Sequence, residues 1–287
     1  MIRGNLRYMD GQLYLAATPI GNYLDSSLRL QELLTSADLI AAEDTRKVKA
    51  LCARLGITPR GKVISFHDHN EEQKSSQIIA EAQSGKIVLM VTDAGMPTVS
   101  DPGYKLIQKA IELDCPFEVI PGPSAVTMAL ALSGLATDRF SFEGFVPRKS
   151  GERIKSFTKL RTEERTMVFF ESPHRLLQTL LVALSVFGGE KKVAVCRELT
   201  KTYEETVRGT LAEIVVWAQS KEIKGEICFV VAGNRMGSVL ELEDLIPRVT
   251  EQLEKGVRLK AAVSTVSAEF GVSKRELYEL MLAHKES

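Results

Sequence analysis

The chain has 287 residues, which is more than one hydrophobic core usually organises, so we expect more than one domain. Because 44% of the residues are hydrophobic, we expect a globular protein. Lysine plus arginine and aspartate plus glutamate both number 37, which excludes a large overall excess of basic or acidic charge. No apolar run approaches the roughly 20 residues of a membrane span, and residues 1–10 lack the apolar stretch of a secretion signal, so we expect a cytoplasmic protein.

Five short apolar segments in the first half are each followed by a helical pattern, which is typical of a parallel sheet. The predicted strands are residues 12–17, 39–42, 63–66, 87–91 and 117–120. Right-handed crossovers between parallel strands place all five strand-to-helix loops along one edge of the sheet. The predicted fold class is therefore α/β, with a mostly parallel five-stranded sheet in the N-terminal part.

The five loops at that edge are rich in small and polar residues. They read TPIGN (18–22), EDTR (43–46), HDHNE (67–71), TDAGMPTVSDPG (92–103) and PGPSA (121–125). Open α/β sheets bind ligands outside the carboxyl ends of their strands, so these loops predict a ligand crevice. None of them is a P-loop or a G-x-G-x-x-G motif, which disfavours nucleotide hydrolysis and the common dinucleotide chemistry.

Two of these loops lead into helices with predicted side-chain caps. Asn70 and Gln73 match a capping box at the start of a helix that runs to residue 82. Asp101 is suited to cap the next helix, with Pro102 as its first helical residue. For Asn70 and Asp101, the capping role competes with contact to a ligand.

The second half is predicted to form a smaller mixed sheet. Its strands are residues 166–170, 193–196 and 226–232, with helices at 173–186 and 210–219. Residues 136–145 are expected to be a domain junction and residues 197–209 a polar connection. Because two strands follow each other without a helix between them, some antiparallel pairing is expected. The predicted domains are residues 1–136, 137–236 and a tail, 237–287, in which residues 261–282 have a helix-turn-helix pattern with its turn at Gly271 and a cap at Ser273.

Residues 148–161 form the most basic segment of the chain. They contain six basic residues against Glu152: Arg148, Lys149, Arg153, Lys155, Lys159 and Arg161. Positive charge of this kind can hold RNA phosphates, and Phe145 and Phe157 lie nearby as possible stacking partners for bases. The alternative is an ordinary basic surface helix.

Several of these motifs resemble the tetrapyrrole methylase superfamily and, more closely, its ribosomal RNA small subunit methyltransferase I family. The resemblance covers residues 13–234 and rests on TPIGN, AEDTR, HDHNE, VTDAGMPTVSDPG, PGPSA, ESPHR and GE-x-x-x-V-V-A-G. It implies two α/β domains around S-adenosylmethionine, methyl transfer to the ribose 2′-oxygen of a cytidine in small-subunit ribosomal RNA, and a homodimer. Corrin methylases carry a glycine-proline-glycine-aspartate type of turn after the first strand, and TPIGN departs from it.

The resemblance also implies which residues contact the ligands. The cofactor contacts carried over are Asp93, Ala94, Gly95, Met96, Thr98, Ser124, Ala125 and Phe170. Small residues suit such loops because they let backbone groups approach a ligand closely. The other edge loops and the basic segment are left for RNA, which gives the candidates Pro19, Asn22, Arg46, Asn70, Arg148, Lys149 and Arg175. For Arg175, a structural role at the start of the helix is the alternative.

A ribose hydroxyl is a poor nucleophile, and a nearby general base would accelerate its reaction by roughly 10²–10⁴-fold. The candidates at the crevice are His67, His69, Glu71, Glu43, Asp44 and Asp101. Histidine titrates closest to neutral pH, so His67 and His69 come first, with Glu43 beside them. His67 and His69 also have the spacing of a metal pair, but no third ligand is evident and none is needed, so we expect no metal.

Two other functions compete with a ribose methyltransferase that acts on ribosomal RNA or on the assembled small subunit. One is a tetrapyrrole or corrin methylase, and the other is a non-catalytic RNA-binding ribosome-assembly factor that uses the basic segment and the helical tail. Binding to DNA is disfavoured, because the charges of the tail nearly balance.

Overall fold

The computed structural model describes residues 11–234, 242–270 and 272–285, without the side chains of residues 244, 269 and 285. Two compact units are present. The larger reaches from the first described residues to Thr158 and continues from Thr166 to Ala232, and the smaller combines Lys159–Arg165 with the described residues from Gly233 onward. The predicted boundary after residue 236 lies outside the described residues. Within the described ranges, no helix combines the length and the apolar composition needed to cross a bilayer.

The first sheet of the larger unit consists of five parallel strands, as predicted. They are β1 (Leu13–Ala16), β2 (Leu39–Ala42), β3 (Lys62–Ser65), β4 (Val88–Val91) and β5 (Phe117–Ile120). Their order is β3-β2-β4-β1-β5, and every neighbouring pair is parallel. All five strand ends therefore meet at one edge, which confirms the predicted row of loops.

Five helices accompany this sheet: α1 (Leu28–Ser36), α2 (Thr45–Leu55), α3 (Glu71–Gln83), α4 (Tyr104–Glu112) and α5 (Ala125–Ser133). Alternate strand residues enter two separate apolar cores, because successive side chains of a strand point to opposite faces. Leu15 and Met90 belong to the core shared with α3 and α4, whereas Tyr14 and Leu89 belong to the one shared with α1 and α2. Burial on both faces explains the continuous apolar runs of β1, β2 and β4.

The predicted caps of α3 and α4 are wrong. Asn70 makes no side-chain cap, and its Oδ1 instead accepts from the backbone N–H of His67. Helix α4 begins at Tyr104, so Asp101 and Pro102 lie in the bend before it. The cap comes from Glu71, whose Oε1 accepts from the N–H groups at the start of α4. These belong to Gly103 and Lys105, both at 2.9 Å, and to Leu106, at 3.3 Å.

The second sheet also has five strands: β6 (Phe140–Phe145), β7 (Thr166–Glu171), β8 (Lys192–Arg197), β9 (Glu205–Thr210) and β10 (Ile227–Val231). Its order is β6-β7-β10-β8-β9. The β6–β7 pair is parallel and the other three pairs are antiparallel, which confirms the predicted mixed sheet. The helices of this half are α6 (Ser150–Lys159), α7 (Pro173–Phe187) and α8 (Leu211–Gln219).

Strands β6 and β9 correct the sequence analysis, which treated their residues as a junction and a connection. Both are edge strands, and an edge strand needs only one hydrogen-bonded neighbour, so a strong apolar pattern is not required. Strand β6 is also interrupted, because its register shifts between Phe142 and Phe145 and Gly144 has a φ of 70°. Strand β9 pairs with β8 along its whole length despite its polar sequence.

Helix α5 follows the first sheet in sequence but packs its apolar side on the second. Val126, Ala129 and Leu130 share a core with Val168 of β7 and Val230 of β10. The PGPSA loop therefore leads directly from the end of β5 to the face of the other sheet. This connection fixes the loop edge of the first sheet beside β7 and β10.

The smaller unit is helical. It contains a 3₁₀ turn at Leu242–Leu245 and the helices α9 (Ile246–Glu254), α10 (Leu259–Phe270) and α11 (Lys274–Lys285) around an apolar core of its own. Helices α10 and α11 are the two predicted from sequence, whereas α9 was not predicted. The hydroxyl of Ser273 accepts from the N–H of Glu276, as expected of a cap. The predicted turn at Gly271 lies outside the described residues.

Candidate active site

A cavity of about 310 Å³ opens where the loops after β4 and β5 face the second sheet. Six of the predicted cofactor contacts line it: Ala94, Gly95, Met96, Ser124, Ala125 and Phe170. Most of the remaining lining residues are apolar or acidic. They include Ile20, Leu199 and Cys228, which were not predicted as ligand contacts. Ile20 belongs to the predicted crevice loop TPIGN, whereas Leu199 lies in the predicted polar connection and Cys228 in a predicted strand, where no pattern indicated a ligand.

Close backbone contacts build the floor of this cavity. Thr18 and Gly95 exchange two backbone hydrogen bonds of 2.9 and 3.0 Å, which join the loop after β1 to the loop after β4. Gly122 lies so near β1 that a Cβ there would be 2.8 Å from the Cβ of Ala17. Only glycine allows the PGPSA loop to lie against the end of β1 in this way.

The start of α5 offers polar groups to the cavity. Ser124 is the N-cap residue, yet its side chain makes no capping hydrogen bond. The first-turn N–H groups of a helix have no intrahelical partners, so they and the Ser124 hydroxyl can bind a ligand. Ala125, which follows in the lining, has a small side chain that leaves its backbone accessible.

An aromatic group forms the opposite side. The ring of Phe170 lies 4.8 Å from that of Phe142 and 5.4 Å from that of Phe145, both edge to face. Phe145 lines the cavity and is 60% exposed, so its ring faces solvent at the cavity mouth. Burial raises the pKa of the nearby Cys228 thiol to about 12, which makes it unreactive at neutral pH.

The ionisable side chains of the lining are all acidic apart from that thiol: Asp101, Glu171 and Glu226. Glu171 is buried and accepts from the N–H of Ser172, from Thr179 and from the Arg175 guanidinium. Glu226 forms an ion pair with Lys201 at 2.9 Å. Within the described residues, no lysine, arginine or histidine lines this cavity.

Asp101 differs from the other two carboxylates because, among the described residues, it has no hydrogen-bond or ion-pair partner. Burial raises its pKa to about 7, and the negative charges of Glu43, Asp93 and Asp68 act in the same direction, while Lys47 opposes them. The adjoining loop is strained, since Thr98 and Ser100 have φ values of 74° and 63°.

Asp93, a predicted cofactor contact, is bound to the neighbouring loop instead of the first cavity. Its Oδ1 accepts from the N–H of Asp44 at 2.9 Å, and its Oδ2 lies 2.9 Å from Nζ of Lys47. The N–H of Asp93 donates to Oε2 of Glu43 at 3.1 Å. Burial raises the pKa of that glutamate. Thr98 also lies outside the lining, with its N–H donating to the carbonyl of Pro102.

The two histidines follow the edge strand β3 and line neither this cavity nor the one described below. Nε2 of His67 is 3.1 Å from Nδ2 of Asn70, while Nδ1 is buried without a hydrogen-bond partner among the described residues. The rings of His67 and His69 are 5.9 Å apart. No cluster of three or more His, Cys, Asp or Glu suited to a metal ion occurs in the part of the chain that the structure describes.

A second cavity of about 340 Å³ adjoins the first and shares Ile20, Ala94 and Glu226 with it. Its lining includes Pro19, Tyr23 and three basic residues, Lys47, Arg54 and Lys201. Asp93 and Glu226 also line it, and they form ion pairs with Lys47 and Lys201. Asn22 is close by, with its N–H donating to Oγ1 of Thr200 at 3.0 Å. Arg46 is exposed and pairs with Asp44, which holds the pKa of that carboxyl at about 2.

The basic segment is only partly available to a ligand. Arg148 and Lys149 are exposed. Arg153 is buried and donates to the carbonyls of Pro147 and Arg148, and Phe157 is buried against Phe169, so neither can meet RNA. Arg175, a predicted RNA contact, is held by Glu171 and by the carbonyl of Val146.

Solved structures share this architecture. Diphthine synthase superposes with a TM-score of 0.60 at 17% identity, covering 77% of this chain and 90% of its own. Uroporphyrin-III-C-methyltransferase from Thermus thermophilus gives 0.54 at 20% identity, covering 78% and 94%. Identities this low establish the fold alone.

The family of Tetrapyrrole (Corrin/Porphyrin) Methylases matches residues 12–215, so fold and site together define a methylase of this class. Curated relatives narrow it further. Ribosomal RNA small subunit methyltransferase I of Mycobacterium tuberculosis is 45% identical over 274 residues, 95% of both chains, and that of Bacillus subtilis is 39% identical over 276 residues, 94% of this chain and 93% of the relative. The chain belongs to the ribosomal RNA small subunit methyltransferase I family of tetrapyrrole methylases.

Proposed function

We propose that this protein uses S-adenosylmethionine to methylate the ribose 2′-oxygen of a cytidine in small-subunit ribosomal RNA. The observation that carries the proposal is the cavity between the PGPSA loop, the loop after β4 and the second sheet, in a chain whose relatives are named ribosomal RNA small subunit methyltransferase I. The cofactor and its acceptor would meet in the cytoplasm, where small subunits are assembled.

The charge of the first cavity fits this cofactor. S-adenosylmethionine carries a sulfonium and an ammonium cation beside one carboxylate, so its net charge is positive. The lining holds carboxylates and, among described residues, no basic side chain, which suits a cation and offers no cationic partner to the phosphates of a nucleotide. The free N–H groups at the start of α5 and the Ser124 hydroxyl supply donors for the single carboxylate.

The residues that would hold the cofactor line this cavity from the loop after β4, the PGPSA loop and strand β7. Backbone groups of Ala94, Gly95 and Met96 would contact it on one side, Ser124 and Ala125 on another, and the ring of Phe170 would cover it. Asp93 acts indirectly in this proposal, since it ties the loop after β4 to Asp44 and Lys47. Thr98 supports the bend that leads to Asp101.

The cofactor supplies an activated methyl group, and the protein supplies alignment. Methyl transfer to a hydroxyl is an in-line displacement, and positioning of the reacting groups contributes up to roughly 7–11 kcal/mol in favourable cases. Phe145 stands at the cavity mouth with its ring exposed, where it can stack on the base of the target nucleotide. Stacking there would hold the ribose at the entrance.

RNA needs basic groups outside the cofactor cavity. The second cavity provides Arg54, with Lys47 and Lys201 beside it in ion pairs with Asp93 and Glu226. The exposed pair Arg148 and Lys149 adds charge near β6. Among the candidates taken from sequence, Pro19 lines the second cavity, while Asn22 and Arg46 lie in the loops after β1 and β2. In this proposal Asn70 and Arg175 shape their loops through His67 and Glu171. The protein would act as a homodimer.

The test combines cofactor binding with product analysis. Calorimetry should give micromolar or tighter binding of S-adenosylmethionine, and mass spectrometry of small-subunit RNA from a deletion strain should show one cytidine ribose without its methyl group. Purified protein should restore that methyl group on isolated small subunits. Cofactor binding without restoration, and turnover of a porphyrinoid instead, would assign the chain to tetrapyrrole methylation. Absence of cofactor binding would leave only a non-catalytic RNA-binding role.

A further inference from the structure

We propose that Asp101 is the general base that removes the proton from the acceptor hydroxyl. The proposal rests on the proposed methyl transfer and adds the residue that performs its proton step. Its basis is geometric, because Asp101 combines a place in the lining of the first cavity with a carboxylate that no described residue engages. The other candidates fail on one of these two conditions.

The carboxylates near the cavity are committed elsewhere. Glu171 accepts from Ser172, Arg175 and Thr179, and its side chain is fully buried, so these contacts hold it in a structural role. Glu226 pairs with Lys201. Glu43 accepts the N–H of Asp93 and is absent from both linings.

The residues of the loop after β3 are committed as well. Glu71 accepts three N–H groups at the start of α4, so it is part of the helix cap. His67 is bound to Asn70, and neither His67 nor His69 reaches a cavity lining. Because Glu71 caps α4 from another loop, Asp101 is released from the capping role that its sequence position indicates.

The surroundings of Asp101 make it a stronger base than an ordinary carboxylate. Glu43 after β2, Asp68 after β3 and Asp93 after β4 all face it with negative charge, and Lys47 of α2 faces it with positive charge. Burial and these acids raise its pKa to about 7, where a base is both available in its ionised form and strong enough to help. The cationic cofactor lowers this pKa when bound, so the carboxylate predominates at neutral pH.

The step balances as a displacement with proton transfer. The ribose 2′-oxygen forms a bond to the methyl carbon while the sulfur–carbon bond breaks and its electron pair stays on sulfur, which becomes a neutral thioether. The hydroxyl proton moves to a carboxylate oxygen of Asp101 and then passes to water. Loss of the sulfonium charge raises the proton affinity of Asp101 in the product state, which favours its holding the proton.

The experiment measures single-turnover methylation of small subunits from a deletion strain at saturating cofactor between pH 5 and 9, with calorimetry of S-adenosylmethionine in parallel. The wild-type rate should rise tenfold per pH unit below a pKa at or below about 7 and then level off. Asp101→Asn should lower the plateau rate by roughly 10²–10⁴-fold and remove the acidic limb. Asp101→Glu should keep the limb with a smaller loss.

Asp68→Asn is the matched charge control, because Asp68 is exposed and lies outside both linings. It removes one negative charge that raises the pKa of Asp101, so the acidic limb should move to lower pH while the plateau stays within a few-fold. If Asp101→Asn instead weakens cofactor binding at an unchanged plateau rate, Asp101 is only a counter-ion and the proposal is overturned. An acidic limb that survives in Asp101→Asn overturns it too, while wild-type turnover keeps the proposed function intact.

Discussion

Glu71→Ala should loosen the loop that carries Asp101. Glu71 lies at the start of α3. Its buried carboxylate caps α4 and accepts from the N–H of Gly103, which is 32 residues further along the chain. Substitution by alanine leaves the N–H groups of Gly103 and Lys105 without their acceptor in a largely buried place. The bend formed by residues 98–103 then loses its anchor to the rest of the sheet edge.

The size of the effect follows from the hydrogen bonds. Two are 2.9 Å long and the third, from Leu106, is 3.3 Å, so two full bonds to one charged oxygen are counted. A hydrogen bond to a charged group contributes about 1.5–3 kcal/mol, so two of them give a loss of ~3–6 kcal/mol in the free energy of unfolding. Glu71→Gln keeps an acceptor oxygen without its charge and should lose about 1–2 kcal/mol.

Urea unfolding and cofactor calorimetry provide the assay. Glu72→Ala is the control, since the neighbouring Glu72 is exposed and pairs only with Lys105 at the surface, and it should change stability by less than about 0.5 kcal/mol. Glu71→Ala should also weaken S-adenosylmethionine binding at a temperature where the variant is folded. A Glu71→Ala variant as stable as Glu72→Ala, with the same cofactor affinity, would refute the assignment of Glu71 as the cap.

Gly122→Ala should cost about 1–3 kcal/mol of stability and weaken cofactor binding, because the new Cβ would lie 2.8 Å from Cβ of Ala17. Gly151→Ala is the control in the same unfolding assay, since a Cβ at Gly151 would meet open space. Asp101→Asn should be more stable than wild type at pH 8 by ~1–3 kcal/mol and nearly equal at pH 4. A carboxyl whose pKa is raised to about 7 in the folded protein destabilises it as pH rises from 4 through 7, which pH-dependent denaturation can measure. Replacing Arg148 and Lys149 by alanine should weaken binding of single-stranded RNA and leave cofactor affinity unchanged. The slope of log affinity against log salt concentration should fall by about 0.7 for each phosphate that these two side chains neutralise.

The first sheet was predictable because its signal is local and strong. Strands that are buried on both faces need continuous apolar runs, and the segment 39–42 was predicted with the bounds that the structure has. The edge strand at 117–120 was also predicted with its observed bounds, although Val119 is exposed. Gly56 ends α2 in the left-handed conformation, which glycine adopts without steric cost. The position of the five strand-to-helix loops along one edge followed from the parallel arrangement of the strands alone.

The missed features depend on contacts that are distant in sequence. Strand β9 is recognisable only through its pairing with β8, and Glu71 acts as a cap only because the fold brings α3 beside α4. Arg153 lies within a run of basic residues, yet the carbonyls of Pro147 and Arg148 hold it in the interior. Sequence reasoning therefore found the loops of the site but assigned several side chains in them to the wrong task.

The distribution of charge separates the two ligands of the proposed reaction. The lining of the first cavity includes three carboxylates and, within the described residues, no basic side chain that could bind RNA phosphates. Exposed basic side chains lie in the second cavity and in the segment before α6, namely Arg54, Arg148 and Lys149. Lys47 and Lys201 also line the second cavity, in ion pairs with Asp93 and Glu226. Because the two cavities share Ile20 and Ala94, only the target ribose has to pass from the basic to the acidic side. A neutral hydroxyl tolerates that step, and it delivers the acceptor oxygen to Asp101 while the phosphates remain among the basic side chains.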